Sequence, residues 1–224
     1  MAQATATQKK KTGNTTRQKI IKAYQRHVLR HGENPSSVFA FCEDIKIEEG
    51  TFYKYFSGFE QIQGTFWRSL FEENLERLEN TPEWEEFAVR EKLLSFYFSF
   101  FESLKQNRSY ALYSLKDGGQ QLNPGRKELE ELKKPYKRWI KALMAEGRNK
   151  EEIASRSRLS DQYDTLFWYQ LLFLLDFWRK DGSTAFERTD EAIEKAVNLA
   201  FDLIEKNAID SAFDFGKFLF QNFR

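Results

Sequence analysis

The residues best suited to chemistry are Gly50-Thr51-Phe52-Tyr53-Lys54-Tyr55-Phe56. Three hydroxyls and an ammonium alternate with bulky rings. Such groups donate hydrogen bonds and hold anions, so the chemistry expected of them is recognition rather than bond making. At helical spacing Phe52 and Phe56 share one face and can fix the segment to a core, while Thr51, Tyr53, Lys54 and Tyr55 are left for a partner. The rest of the chain offers little for covalent catalysis. There is no Ser-His-acid arrangement, no phosphate-binding glycine loop, and no base positioned for the single cysteine, Cys42. The pairs Glu72-Glu73 and Glu85-Glu86 are adjacent in sequence and diverge on a helix. His27 and His31 lie four apart on one face, but no carboxylate or cysteine is placed with them, so no metal and no cofactor are expected. One cysteine also rules out an intrachain disulfide, and Cys42 reads as a small core residue.

The partner class follows from charge. The whole chain is nearly neutral at +1, yet residues 1–68 hold eleven Lys/Arg against six acids, which leaves the remainder acidic. A basic head on an acidic body suits a polyanion at one end only. The tail, residues 1–13, is polar and contains Lys9, Lys10 and Lys11; it is expected to be a disordered basic arm able to hold phosphate. No apolar run is long enough to span a bilayer, since the longest, Leu166 to Phe177, is broken by Gln170 and Asp176. The opening residues lack the apolar run of a secretory signal, and a cytoplasmic location without membrane contact is expected.

Helices must position these groups. Twenty-two Phe against four Pro and eleven Gly point to long, rarely interrupted helices and an all-α fold. Thr15 and Gln18 have capping-box spacing, and Ile20, Ile21, Tyr24 and Val28 form an apolar stripe that Gly32 ends. Ser36 or Ser37 caps a second helix with Val38, Phe41 and Cys42 inward. Asp44 to Ile47 make a turn, and a third helix runs from about Glu48 to Tyr55. A three-helix, helix-turn-helix head over residues 14–62 results, followed by a larger helical body over 63–224. In that body helices are expected at Ile62–Leu78, Trp84–Gln106, Tyr110–Leu115, Leu129–Met144 with a kink at Pro135 and a stop at Gly147, Ser160–Lys180, Thr189–Lys206 and Ile209–Phe223. A helix that is apolar all round must be covered all round. The Ser160–Lys180 helix fits that description, so Trp168, Leu171, Leu172 and Leu175, with Val197, Phe201 and Ile204 of its neighbour, are expected at a homodimer contact.

The head resembles the TetR family of bacterial transcription regulators. That family ends its DNA-reading unit with a Gly-Thr-Leu-Tyr-x-His/Tyr-Phe pattern, which stands here as Gly50 to Phe56. Glu60 and Ile62 fall at the family's acidic and apolar positions, and Ser37-Val38 and Phe41-Cys42 take the places of a Thr-Val and an Ile-Ala pair. The likeness covers about Thr16 to Trp67. It implies that Thr51 and Tyr53 touch DNA, that Tyr55 and Ser37 bond phosphates, and that Lys54 adds charge. Three positions depart from the pattern: Lys46 replaces the turn glycine, Glu48-Glu49 open the reading helix, and Phe59 replaces a lysine. A glutamate repels phosphate but accepts a hydrogen bond from a cytosine amine, which leaves Lys46, Glu48 and Glu49 among the expected DNA contacts.

The resemblance implies a homodimeric, ligand-responsive regulator, a repressor, on a double-stranded operator. Its effector would be an apolar or aromatic small molecule held among Phe96, Tyr97, Phe100, Tyr110, Tyr113, Trp139 and Phe167. The alternative is a protein of the same fold with weakened or lost DNA binding that carries a lipid-like ligand or a protein partner.

Overall fold

A computed structural model describes residues 2–116, 126–153 and 162–205, with the side chains of 2–14 and 205 outside the description. The described residues form helices and connecting turns, with no strand among them. The helices are α1 (Ala2–His31), α2 (Val38–Asp44), α3 (Glu49–Tyr53), α4 (Phe59–Glu79), α5 (Val89–Gln106), α6 (Arg108–Ser114), α7 (Glu130–Asn149), α8 (Tyr163–Lys180) and α9 (Glu187–Glu205).

The head is built on rings. Ile20, Tyr24 and Val28 of α1 are fully buried in one cluster with Phe41 and Cys42 of α2 and Phe52 of α3, and Tyr24 meets Phe41 edge-on. Phe59 stacks on Tyr24 with centroids 5.2 Å apart and meets Phe41 and Phe52 edge-on. Each such ring withdrawn from water is worth about 1.5–3 kcal/mol, and this explains why the head dispenses with a lysine at position 59. Gly32 ends α1 as expected, with a left-handed φ of 72°.

Helix α4 runs unbroken through residues 62 and 63 and packs on both head and body. Against it lie α5 and α7, and α8 and α9 close the other side. The centre is aromatic: Phe96 meets Trp139 at 4.6 Å, Phe100 at 5.4 Å and Phe71 at 5.4 Å. Lys92, almost fully buried, is neutralised by Glu146 at 2.7 Å and lies over the ring of Trp84. An unpaired charge there would be far costlier.

The structure departs from several sequence expectations. Helix α1 begins at Ala2 rather than at Thr15, so the segment expected to be a disordered arm is helical in its backbone. Trp84 lies in a short 3-10 turn, Pro82–Glu85, ahead of α5. Helix α7 contains Pro135, as expected, but runs past the expected stop at Gly147 to Asn149. Gly147 is there for closeness, since a Cβ at that position would fall 2.7 Å from Ile153 Cδ1 and 2.9 Å from Val89 Cγ2. The helix expected at Ile209–Phe223 lies outside the described residues.

Candidate nucleic-acid interface

The two short helices α2 and α3 are held by different devices. Ser37 caps α2, its Oγ accepting from Ala40 N at 3.0 Å. One acceptor site of this proposed phosphate ligand is thus already used. The turn into α3 passes through Lys46 at φ 56°, so the left-handed conformation is kept without glycine. Glu48 stands at the N-cap of α3, and its backbone carbonyl accepts from Thr51 N and Phe52 N. Its carboxylate makes no capping bond, so helix capping does not account for it.

Phe52 and Phe56 are buried at the base of α3. The Arg17 guanidinium lies over Phe56 at 5.2 Å and donates to Thr65 Oγ1 at 3.3 Å. Above this base, Glu48, Glu49 and Lys54 are exposed, Tyr53 is 52% exposed, and Thr51 and Tyr55 are half-buried. The expected α3 contacts, with Lys46 beside them, therefore share one short segment. A shallow groove of about 470 Å³ runs beside it, lined by Phe39, Cys42, Glu43, Lys46, Ile47, Glu48 and Glu49. Phe39 was not singled out from sequence, yet it is 57% exposed. The helical phase of Phe41 and Cys42 points it outward, and that signal was available. Burial and the nearby Glu49 carboxylate both push the Cys42 thiol pKa up. The side chains of Lys9, Lys10 and Lys11 lie outside the described residues.

The seven residues expected around an effector fall into three places. Phe96, Tyr97, Phe100 and Trp139 sit together in the body core with Phe71 and Tyr136. Within this group the Tyr97 and Tyr136 hydroxyls lie 2.7 Å apart, Tyr97 donates to Gln170 Oε1 at 3.1 Å, and Tyr136 donates to the Phe167 carbonyl at 3.1 Å. Burial raises both hydroxyl pKa values. Phe167 borders the group and packs on Phe201 of α9. Tyr110 and Tyr113 stand elsewhere, at the seam with the head, where Tyr110 meets Tyr24 and Phe66. They do not line a common site with Phe96.

The residues expected at the dimer contact need correcting. Trp168, Leu171, Leu172, Leu175, Val197, Phe201 and Ile204 are all 0–3% exposed within one protomer. They fill the protomer's own core, and a second chain has no access to them. The outward stripe of α8 is instead Leu166, Tyr169 and Phe173, and that of α9 is Ala196 and Leu199 with Leu203. Between the stripes runs an apolar groove of about 480 Å³ that includes Phe173, Ala192, Ala196, Leu199 and Leu203. Among the described residues, no helix is long and apolar enough to cross a membrane.

Comparison with known proteins bears on both parts of the chain. No curated protein matches it. Among solved structures, it is similar to one described as a structural analysis of the fatty acid degradation regulator FadR from Bacillus halodurans, with a TM-score of 0.58 and 17% sequence identity. The match covers 81% of this chain and 94% of the other, and at that identity it speaks for the fold alone. Residues 92–219, more than half of the chain, match the family described as "Tetracyclin repressor-like, C-terminal domain". The helix-turn-helix head, the all-α body and that match together place the chain in the TetR family of transcription regulators.

Proposed function

We propose that the protein is a homodimeric, ligand-responsive regulator that binds double-stranded operator DNA through α2 and α3 and acts as a repressor. One observation carries this reading. Helix α3 and the residues just after it are pinned from below by Phe52 and Phe56 and present Tyr53, Lys54 and the edge of Thr51 to solvent. A recognition helix needs that division, because side chains that read base edges must stand on a base that does not move. The outward stripes of α8 and α9 are the proposed dimer face. Two heads held by it would engage half-sites one helical turn apart, about 34–36 Å. The proposed effector is an apolar or aromatic molecule that enters among Phe96, Tyr97, Phe100 and Trp139. It acts only if it favours one spacing of the heads over another.

The test is a fluorescence-anisotropy titration against DNA flanking the gene, at several stated salt concentrations. Wild type should bind with a salt slope, and Tyr53→Ala should lose operator preference with its circular dichroism unchanged. The mutant binding as wild type does would remove α3 from the interface. The exposed carboxylates of Glu48, which makes no capping bond, and of Glu49 favour the second reading, in which DNA binding has weakened and a lipid-like ligand or a protein is the partner. Wild-type binding that is absent or insensitive to salt would select it.

A further inference from the structure

The reading face of the head is short of cations. Residues 37–58 contain four acids, Glu43, Asp44, Glu48 and Glu49, against Lys46 and Lys54. A duplex held only by this face would keep most of its phosphate charge unneutralised. Arg17 does not make up the shortfall, since it is occupied by Phe56 and Thr65.

Helix α1 carries the opposite charge. Residues 2–31 hold eight Lys/Arg and no acid. Lys19, Lys22, Arg26 and Arg30 follow one another at intervals of three, four and four, which sets them in a single stripe along the helix. The stripe lies opposite the buried row of Ile20, Tyr24 and Val28, and all four of its side chains are exposed. None of the four has an ion pair or hydrogen bond among the described residues. The body differs: at least thirteen of its lysines and arginines among the described residues, from Arg68 to Lys195, stand in ion pairs. Like charges four apart on a helix repel, so the stripe weakens α1 unless an anion covers it. The helix dipole explains only Arg30, because its effect dies away within the last turn.

We infer that the outer face of α1 is a second DNA-binding surface, on which Lys19, Lys22, Arg26 and Arg30 lie along the sugar–phosphate backbone. The ridge reads no sequence. It supplies the charge neutralisation that α2 and α3 lack, and leaves Glu48 and Glu49 free to discriminate among bases. The inference rests on the DNA-binding reading above, but its test separates the two.

The full chain is titrated with a duplex of unrelated sequence, and with operator-flanking duplex, across a salt series. The comparison variant is K19Q/K22Q/R26Q/R30Q, with circular dichroism and thermal melting as folding controls. Each lost phosphate contact should reduce the slope of log K against log salt by about 0.9. The variant's slope should therefore fall by about 3 to 4 on both duplexes, and the K19R/K22R variant should keep the wild-type slope. Tyr53→Ala should keep the slope on unrelated duplex while losing operator preference. An unchanged slope in a folded quadruple variant overturns the ridge and leaves operator reading by α3 intact. Loss of binding to anionic phosphatidylglycerol vesicles, with the DNA slope unchanged, overturns it in favour of a membrane surface. Wild type without DNA affinity at any salt overturns both readings together.

Discussion

At the scale of single residues, several side chains do something other than their type suggests. Lys46 holds the left-handed turn between α2 and α3, a conformation that costs an L-residue about 1–2 kcal/mol. Lys46→Gly relieves this but adds unfolded-chain entropy, so a net gain of up to about 1 kcal/mol is expected in urea denaturation; a loss of stability would show that the lysine side chain compensates. Asp181 is another such residue. Burial pushes its carboxyl pKa up, but hydrogen bonds from Thr189 and Ser183 outweigh this and hold it down to about 2. A depressed carboxyl pKa stabilises the fold above the unfolded value near 4, and the benefit is lost as pH falls from there towards 2. Asp181→Asn should accordingly lower stability at pH 7 and flatten the acid limb of a stability–pH curve. Equal acid limbs in both proteins would move that stabilisation to other carboxylates. Gly147 shows why residue-level reading fails: its use is a close approach of Ile153 and Val89, a fact of tertiary contact that local sequence cannot show.

At the scale of elements, periodicity gave helix existence well and helix phase poorly. A stripe such as Ile20, Tyr24 and Val28 has one apolar side, so its inward face was legible and is buried. Helix α8 is apolar on every side, and nothing local distinguishes its inner face from its outer one. Sequence alone therefore points the core-facing set, Trp168, Leu171, Leu172 and Leu175, at a partner. The burial pattern resolves the phase, and the two faces should respond differently to charge. Phe173 and Leu199 are 56% and 60% exposed. Phe173→Glu with Leu199→Glu should leave helix content and melting nearly unchanged and convert the proposed dimer to monomers in sedimentation velocity. Leu171→Glu places an uncompensated charge in a fully buried site, so it should unfold the protomer. A folded double variant that still sediments as the wild type would show that the outward stripes are not the contact. The end of α8 has its own fixture. The Arg108 guanidinium lies 4.6 Å over Trp178 and 4.5 Å over Phe186, and donates to the carbonyls of Trp178, Arg179 and Asp181. One side chain at the start of α6 thereby supplies donors to the carbonyl-rich end of α8, where a helix leaves acceptors unpaired, and shares the Trp178 carbonyl with Asp181 N.

At the scale of the molecule, the question is how head and body share information. The aromatic segment Gly50–Phe56 and the long apolar helices differ in composition, which is why the sequence suggests a head and a body. The joint between them is not legible there, because it rests on polar groups far apart in sequence. Tyr24 of α1 donates to Asn34 Oδ1 at 2.6 Å and accepts from Gln63 Nε2 of α4 at 2.7 Å. Tyr113 of α6 donates to the same Asn34 oxygen at 3.0 Å, and Trp67 of α4 donates to Ser114 Oγ of α6 at 3.0 Å. One amide between α1 and α2 thus joins the head's core tyrosine to a body helix, and α4 is bonded on both sides. A double-mutant cycle tests whether this joint couples the two parts. Each exposed or half-buried bond is worth about 1 kcal/mol net. Tyr113→Phe should destabilise by about that amount and Asn34→Ala by about twice as much, since it removes the bonds from both Tyr24 and Tyr113; the double variant should lose less than their sum, because both changes remove the Tyr113–Asn34 bond. Hydrogen exchange should quicken at residues 32–37 in every variant and stay unchanged in α8 and α9. Additive losses, or protection at 32–37 equal to wild type, would mean that α6 does not steady the head through Asn34, and that orientation of α3 depends on the packing of Tyr24 and Phe59 alone.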